Sequence, residues 1–185
     1  MRTGTWTLLV AATAPALLAA QVAPTKAAPP ALPARSVVIA YRGFSPGVTY
    51  REFADRARPL TRRGADPLAC NTSKKTAQLM ECGVLIRDPA DSAGFYLGAY
   101  VIEGRVAMIS FGDSGGPRLV DRMQRELRAQ LGAPHAVARG TWQWRNGRRA
   151  LKLNWRGRGS ARWIYIQLED GDLLAHISRY TATGR

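Results

Sequence analysis

The chain predicts an α+β fold in which two segments, each a helix followed by antiparallel strands, form one compact domain over residues 36–185. Three observations predict it. Two helix openings stand about 70 residues apart, near Thr49 and near Pro117. Each is followed by several short apolar runs separated by Gly, Asn or Asp, and those runs alternate with period two, as half-buried strands do. The strands come in unbroken succession after each helix, which excludes the strand–helix alternation of a parallel sheet.

The elements follow in order. Met1 to Ala20 reads as a signal peptide, with Arg2 as a weak positive region and Trp6 to Ala20 as the apolar stretch. Residues 21–35 are rich in Ala and Pro and form a disordered linker. In the first segment (36–112), Val37 to Tyr41 is an edge strand. Thr49 and Glu52 form a capping box that opens a helix, Val48 and Phe53 are spaced for a hydrophobic staple, and the helix stops before Pro59. Leu68–Asn71, Gln78–Ile86 and Phe95–Phe111 are strands, the last folding back at Glu103-Gly104.

In the second segment (113–185), Leu119, Val120, Met123, Leu127 and Leu131 make a helical stripe that ends at Gly132 and Pro134. Strands are expected at Thr141–Arg145 and Arg148–Trp155 around an Asn146-Gly147 turn, then at Arg162–Glu169, and at Leu173–Tyr180 after a turn at Asp170-Gly171. Alternation puts Trp142, Trp144, Leu151, Leu153, Trp155, Ile164, Ile166 and Leu168 on one face, toward the second helix. Gln143, Arg145, Lys152, Asn154, Arg156, Trp163, Tyr165 and Gln167 take the other face.

Charge and cysteines bound the function. Without Arg2, Lys26 and Arg35, 24 basic residues face 13 acidic ones, a net charge of +11 that attracts acidic surfaces. Most of the cations are Arg, which a GC-rich genome also encodes without selection for binding. The leader places the chain in the periplasm or outside the cell, where Cys70 and Cys82 can form a disulfide. Eleven residues between the cysteines and no nearby histidine make a poor metal site, and no cofactor is expected.

Two motifs carry chemistry. Gly112-Asp113-Ser114-Gly115-Gly116-Pro117 resembles the segment around the nucleophilic serine of chymotrypsin-like proteases, a match of six residues. In those enzymes the histidine precedes the serine, whereas His135 and His176 both follow Ser114. The same residues satisfy the G-x-S-x-G pattern of a hydrolase elbow, and Ser114, Asp170 or Asp172, and His176 stand in its chain order. That elbow belongs to a largely parallel sheet, so local mechanics is preferred: a strand end, a glycine turn, Pro117 at the first helical position, and Asp113, Ser114 or Gly116 at the helix entrance.

The second motif is a stretch without carboxylates. No Asp or Glu occurs from Leu127 to Leu168, while nine Arg and Lys residues do. Arg145, Lys152, Arg156, Trp163 and Tyr165 share one strand face and are the expected binding residues. Aromatic and guanidinium groups dominate protein interfaces and also serve single-stranded nucleic acid platforms. Exported proteins seldom meet nucleic acid, so the expected partner is an envelope or extracellular protein or an anionic polymer, bound without catalysis. The alternative for Trp163 and Tyr165 is packing against the first segment's sheet.

The succession Gly47-Val48-Thr49-Tyr50-Arg51-Glu52-Phe53, Cys70 with Cys82, Glu103-Gly104-Arg105-Val106, Leu127-Arg128-Ala129-Gln130-Leu131-Gly132-Ala133-Pro134 and Trp142-Gln143-Trp144 resembles small exported bacterial proteins. Their layout is similar to the tandem helix-plus-sheet modules of β-lactamase-inhibitor-protein type. The resemblance implies the fold and a non-catalytic habit, and carries no functional residues across.

Overall fold

The computed structural model describes residues 37–61, 68–88, 91–115, 117–157 and 162–183, and the expected signal peptide and linker lie outside them. The chain reaches its first helix through a reversal at Tyr41–Phe44, where Arg42 and Gly43 take positive φ of 51° and 79° and Tyr41 and Phe44 exchange both backbone hydrogen bonds. This single bridge replaces the edge strand expected at Val37–Tyr41. The apolar residues there pack inward on a core rather than along a strand: Ile39, Tyr41 and Phe44 are buried, and Phe44 stacks edge-on against Phe53 and Phe111.

Helix α1 (Tyr50–Ala57) begins as its sequence dictates. The Glu52 N–H donates to the Thr49 hydroxyl oxygen, and the Thr49 N–H donates to the Glu52 carboxylate at 2.8 Å. The bond from the Thr49 N–H, and a second one donated to the same carboxylate by the Thr49 hydroxyl at 2.8 Å, favour the charged form and hold Glu52 below the usual carboxylate range, with nearby Arg105 and Arg56 adding to the effect. A 3-10 turn at Arg58–Leu60 closes the helix, with Pro59 inside it.

Four strands follow: β1 (Ala69–Thr72), β2 (Leu79–Asp88), β3 (Asp91–Ile102) and β4 (Arg105–Gly115). Helix α2 (Pro117–Leu131) then leads to β5 (Ala136–Ala138), β6 (Thr141–Asn146), β7 (Arg149–Arg156) and β8 (Arg162–Asp170). All eight strands form one antiparallel sheet in the order β1-β2-β3-β4-β8-β7-β6-β5. Each helix is thus followed by a four-stranded meander, and the meanders join where β4 pairs β8 from Met108↔Glu169 to Gly115↔Arg162. The fold is α+β, as the order of elements predicts.

One face of the sheet is covered. Cys82, Val84, Ile86, Phe95, Leu97, Ile109 and Phe111 from the first meander share a single buried cluster with Trp144, Leu151, Leu153, Ile164, Ile166 and Leu168 from the second. Phe53 and Ala57 of α1 and Val120, Met123, Leu127 and Leu131 of α2 belong to the same cluster, so both helices lie on this face. The assignment of inward residues on β6, β7 and β8 from alternation is correct. All four phenylalanines of the chain are at most 1% exposed, and burying each such ring stabilises by about 1.5–3 kcal/mol. The Trp144 indole N–H donates to the Gly132 carbonyl at 3.0 Å, so the largest buried side chain closes the end of α2.

The disulfide Cys70–Cys82 joins two residues directly opposite in the β1–β2 register and fastens the short edge strand to the sheet. Three further expectations are corrected. The strand before α2 does not turn after Phe111: Gly112, Asp113, Ser114 and Gly115 continue β4 and pair β8, while Pro117 does begin the helix. Asp113 and Ser114 therefore stand too early to cap α2, and Gly116 lies outside the described residues. The β6–β7 hairpin is set one residue later than Asn146-Gly147, because Asn146 pairs Arg149 and the loop is Gly147-Arg148, with positive φ at Gly147.

The largest correction is at the C-terminus, where residues Gly171–Thr183 form helix α3 and not a strand. Its cause is local. One carboxylate oxygen of Asp170 accepts from the N–H groups of Asp172 (3.2 Å) and Leu173 (3.4 Å), the bonding of a helix N-cap. Leu173, Leu174, Ile177 and Tyr180 then recur at helical spacing and pack on Leu79, Ile102 and Ala107, on the sheet face opposite α1 and α2. Ala107 reaches that face as the extra residue of a β-bulge between Val101↔Val106 and Tyr100↔Met108.

Candidate functional site: the open face of the sheet

Away from α3, no described helix covers the second face of the sheet. Trp163 is 60% exposed and Tyr165 40%, so the first meander does not cover them; the two meanders lie edge to edge in one sheet instead of face to face. Arg145, Lys152 and Arg156 share this face, with Arg156 opposite Trp163 and Lys152 opposite Gln167. Of these cations Lys152 is engaged: its ammonium lies 2.8 and 2.9 Å from the two oxygens of Glu169. Arg145 and Arg156 are exposed at the β6 and β7 end of the sheet.

The register extends this surface into the first meander, which the alternation argument left unassigned. Leu85 pairs Tyr96, Tyr96 pairs Gly112, and Gly112 pairs Tyr165, so one rung crosses β2, β3, β4 and β8. Leu85 is 46% exposed and Tyr96 54%. With Trp163 two residues from Tyr165, four of the six exposed large hydrophobic residues among those described form this one patch. A contiguous apolar surface of this kind marks an interaction site, unlike scattered exposed residues.

Beside this rung runs a second one of small residues: Ala69, Gly83, Gly98 and Ser110, directly opposite one another on β1 to β4. Its glycines leave room for the neighbouring side chains as they lie. A Cβ at Gly83 would coincide with the Tyr96 hydroxyl, and one at Gly98 would stand 2.7 Å from the Ser110 oxygen. The Tyr96 ring therefore lies along the sheet over Gly83, and the Tyr165 ring covers Gly112, whose Cβ would stand 3.5 Å from the ring. A shallow trough of about 750 Å³ follows these small residues, walled by the tyrosines and closed at the β1–β2 turn by Lys74 and Lys75. The Lys75 ammonium sits 4.9 Å from the centre of the Tyr100 ring.

Polar side chains continue across the sheet. The Thr141 hydroxyl donates to Asn154 and the Asn154 amide donates to Gln167, at 3.0 and 3.1 Å. Glu81 accepts from the Ser73 hydroxyl at 2.5 Å. The carboxylates on these rungs, Glu81 and Glu169, are both engaged by neighbours, and the exposed charge left on the face is positive.

The residues of the serine-based alternative are not brought together. Ser114 lies opposite Trp163, whereas Asp170 ends the same strand seven residues on, about 23 Å away at ~3.3 Å per residue. Asp170 is buried, caps α3 and lies 3.8 and 3.7 Å from the Arg148 and Arg149 guanidinium groups. Asp172 pairs Arg148 at 2.6 Å. His176 lies on α3 rather than on a strand, with its Nδ1 3.6 Å from Glu103 at the β3–β4 turn. The Tyr180 hydroxyl donates to the other Glu103 oxygen at 2.7 Å, and this bond raises the phenol above the usual tyrosine range. His135 is an edge residue of the sheet, its Nδ1 accepting from the Arg145 N–H at 3.1 Å. Comparison with protein-family models, with curated proteins and with solved structures finds no match for this chain.

Proposed function

We propose that the chain is an exported, non-enzymatic protein that binds an acidic macromolecular partner through the open face of its sheet. The observation that carries this reading is the continuous exposed row Leu85–Tyr96–Tyr165 with Trp163, drawn from both meanders and flanked by cations. Aromatic residues exposed on a rigid sheet give contact area at low entropic cost, and unpaired cations beside them select an acidic partner. Arg145, Arg156, Trp163 and Tyr165 remain the proposed contacts from the second meander, with Lys152 ordered by Glu169 as a positioning residue. Signal cleavage near residue 20 and a periplasmic or extracellular location complete the reading.

Photo-crosslinking in the expressing cell tests it. A crosslinking amino acid at Trp163 or Tyr96 should yield one discrete adduct, and the same group at Arg125 on the outer side of α2 should not. Equal labelling from both positions, or none from the open face, refutes the assignment. A fluorophosphonate probe should leave Ser114 unlabelled; labelling lost in Ser114→Ala would establish a hydrolase instead.

A further inference from the structure

The trough on the open face is a specific kind of stacking surface, and its geometry goes beyond the general reading of an acidic partner, on which this inference rests. Tyr96 and Tyr165 stand on the same rung with Gly112 between them, one on β3 and the other on β8. They are thus two strands apart, about 9–10 Å. Each ring lies over a glycine, Gly83 or Gly112, and is 40–54% exposed. Each ring is in this way supported by the sheet and open to a ligand lying over it.

The polar groups beside the rings suit hydroxyl-rich ligands. Ser110 stands in the row of small residues, and the Gln167 amide nitrogen has only the Met108 sulfur, 3.9 Å away, as a partner among the described residues. Thioether sulfur is a weak acceptor, so this donor is free to bond a ligand. Cations stand around the trough and not along its floor: Lys74 and Lys75 at the β1–β2 turn, and Arg156 opposite Trp163.

In an extended β-1,4-linked glycan every second sugar presents the same face, and that two-sugar repeat is close to the two-strand spacing of the residues that carry the rings. Nucleic acid stacks successive bases and needs a cation at each phosphate; here the floor of the trough has none unpaired. We propose that the trough binds a linear β-1,4-linked glycan bearing carboxylates, with sugar rings stacked on Tyr96 and Tyr165 and carboxylates received by Lys74, Lys75 and Arg156.

The test titrates the purified chain, by calorimetry and by tryptophan fluorescence, with carboxymethylated cellohexaose, unmodified cellohexaose, the α-linked hexamer of galacturonic acid and a ten-residue oligothymidylate. The carboxymethylated β-linked hexamer should bind most tightly. Its affinity should fall with salt, and drop at least about fivefold in Tyr96→Ala or Tyr165→Ala, the lower end of what losing one aromatic platform costs a stacked base. Tyr96→Phe, which keeps the ring, should stay within twofold; the urea midpoint of each variant checks that it folds. Equal binding of the α-linked hexamer, tighter binding of oligothymidylate, or unchanged affinity in both alanine variants overturns the inference. If no glycan binds while an open-face crosslink to an acidic protein is found, the glycan assignment fails and the general reading stands; if neither is seen, both fail.

Discussion

Replacing Asp170 by alanine tests the decision that turns the end of the chain into a helix. The carboxylate is 5% exposed and accepts from two N–H groups of the first turn of α3. Loss of an N-cap of this kind costs about 0.5–2 kcal/mol. The ion pairs with Arg148 and Arg149 add little, because those guanidinium groups are 61% and 36% exposed and keep their water when the carboxylate goes; about 1 kcal/mol is an upper figure. The total is about 2 kcal/mol, and a domain of this size loses about 2–4 °C of Tm per kcal/mol, so Asp170→Ala should melt about 4–8 °C lower. Asp170→Asn keeps a side-chain oxygen for the cap and should lose under 1 kcal/mol. Thermal and urea unfolding followed by far-UV circular dichroism measure both variants. If the alanine variant is as stable as the parent, or the asparagine variant falls as far as the alanine one, the carboxylate does not act as the cap.

Two further outcomes are expected. Reducing Cys70–Cys82, or replacing both by serine, should cost about 2–3 kcal/mol by chain entropy for a loop of this length, read as a lower urea midpoint with unchanged helical signal; no change in midpoint would mean that β1 is held without the bridge. Tyr180 is held protonated by Glu103, so its contribution to stability is complete below the ordinary tyrosine range, near 10, and is lost as pH rises through its higher folded value. Tyr180→Phe should remove that alkaline limb from the stability profile, and parallel profiles between pH 8 and 12 would refute the bond.

Elements defined by a few adjacent residues were readable. The capping box at Thr49 and Glu52, the α2 stripe ending at Gly132, and the inward faces of β6, β7 and β8 all follow from spacing within one segment. The α3 helix was readable too: an Asp followed by apolar residues at 173, 174, 177 and 180 is a capped helical stripe, obscured by treating Asp170-Gly171 as a hairpin turn. Half of the candidate site was legible, since Trp163 and Tyr165 follow from alternation along β8. Tyr96 and Leu85 carry the same alternation on β2 and β3, but nothing local connects them to Trp163.

Local chemistry therefore specified which residues make helices and strands, which side of each strand is apolar, and that two cysteines lie close enough to join. The pairing of β4 with β8 was decided only when the chain was packed, because backbone hydrogen bonds between residues 47 to 61 positions apart leave no trace in the order of side chains. That pairing carries the GDSG segment along an extended strand, sets it far from Asp170, and brings Tyr96 into line with Tyr165. The helices lie over one apolar face because both meanders bury it together, and the opposite face, with its rings and glycines, is what that burial leaves in water.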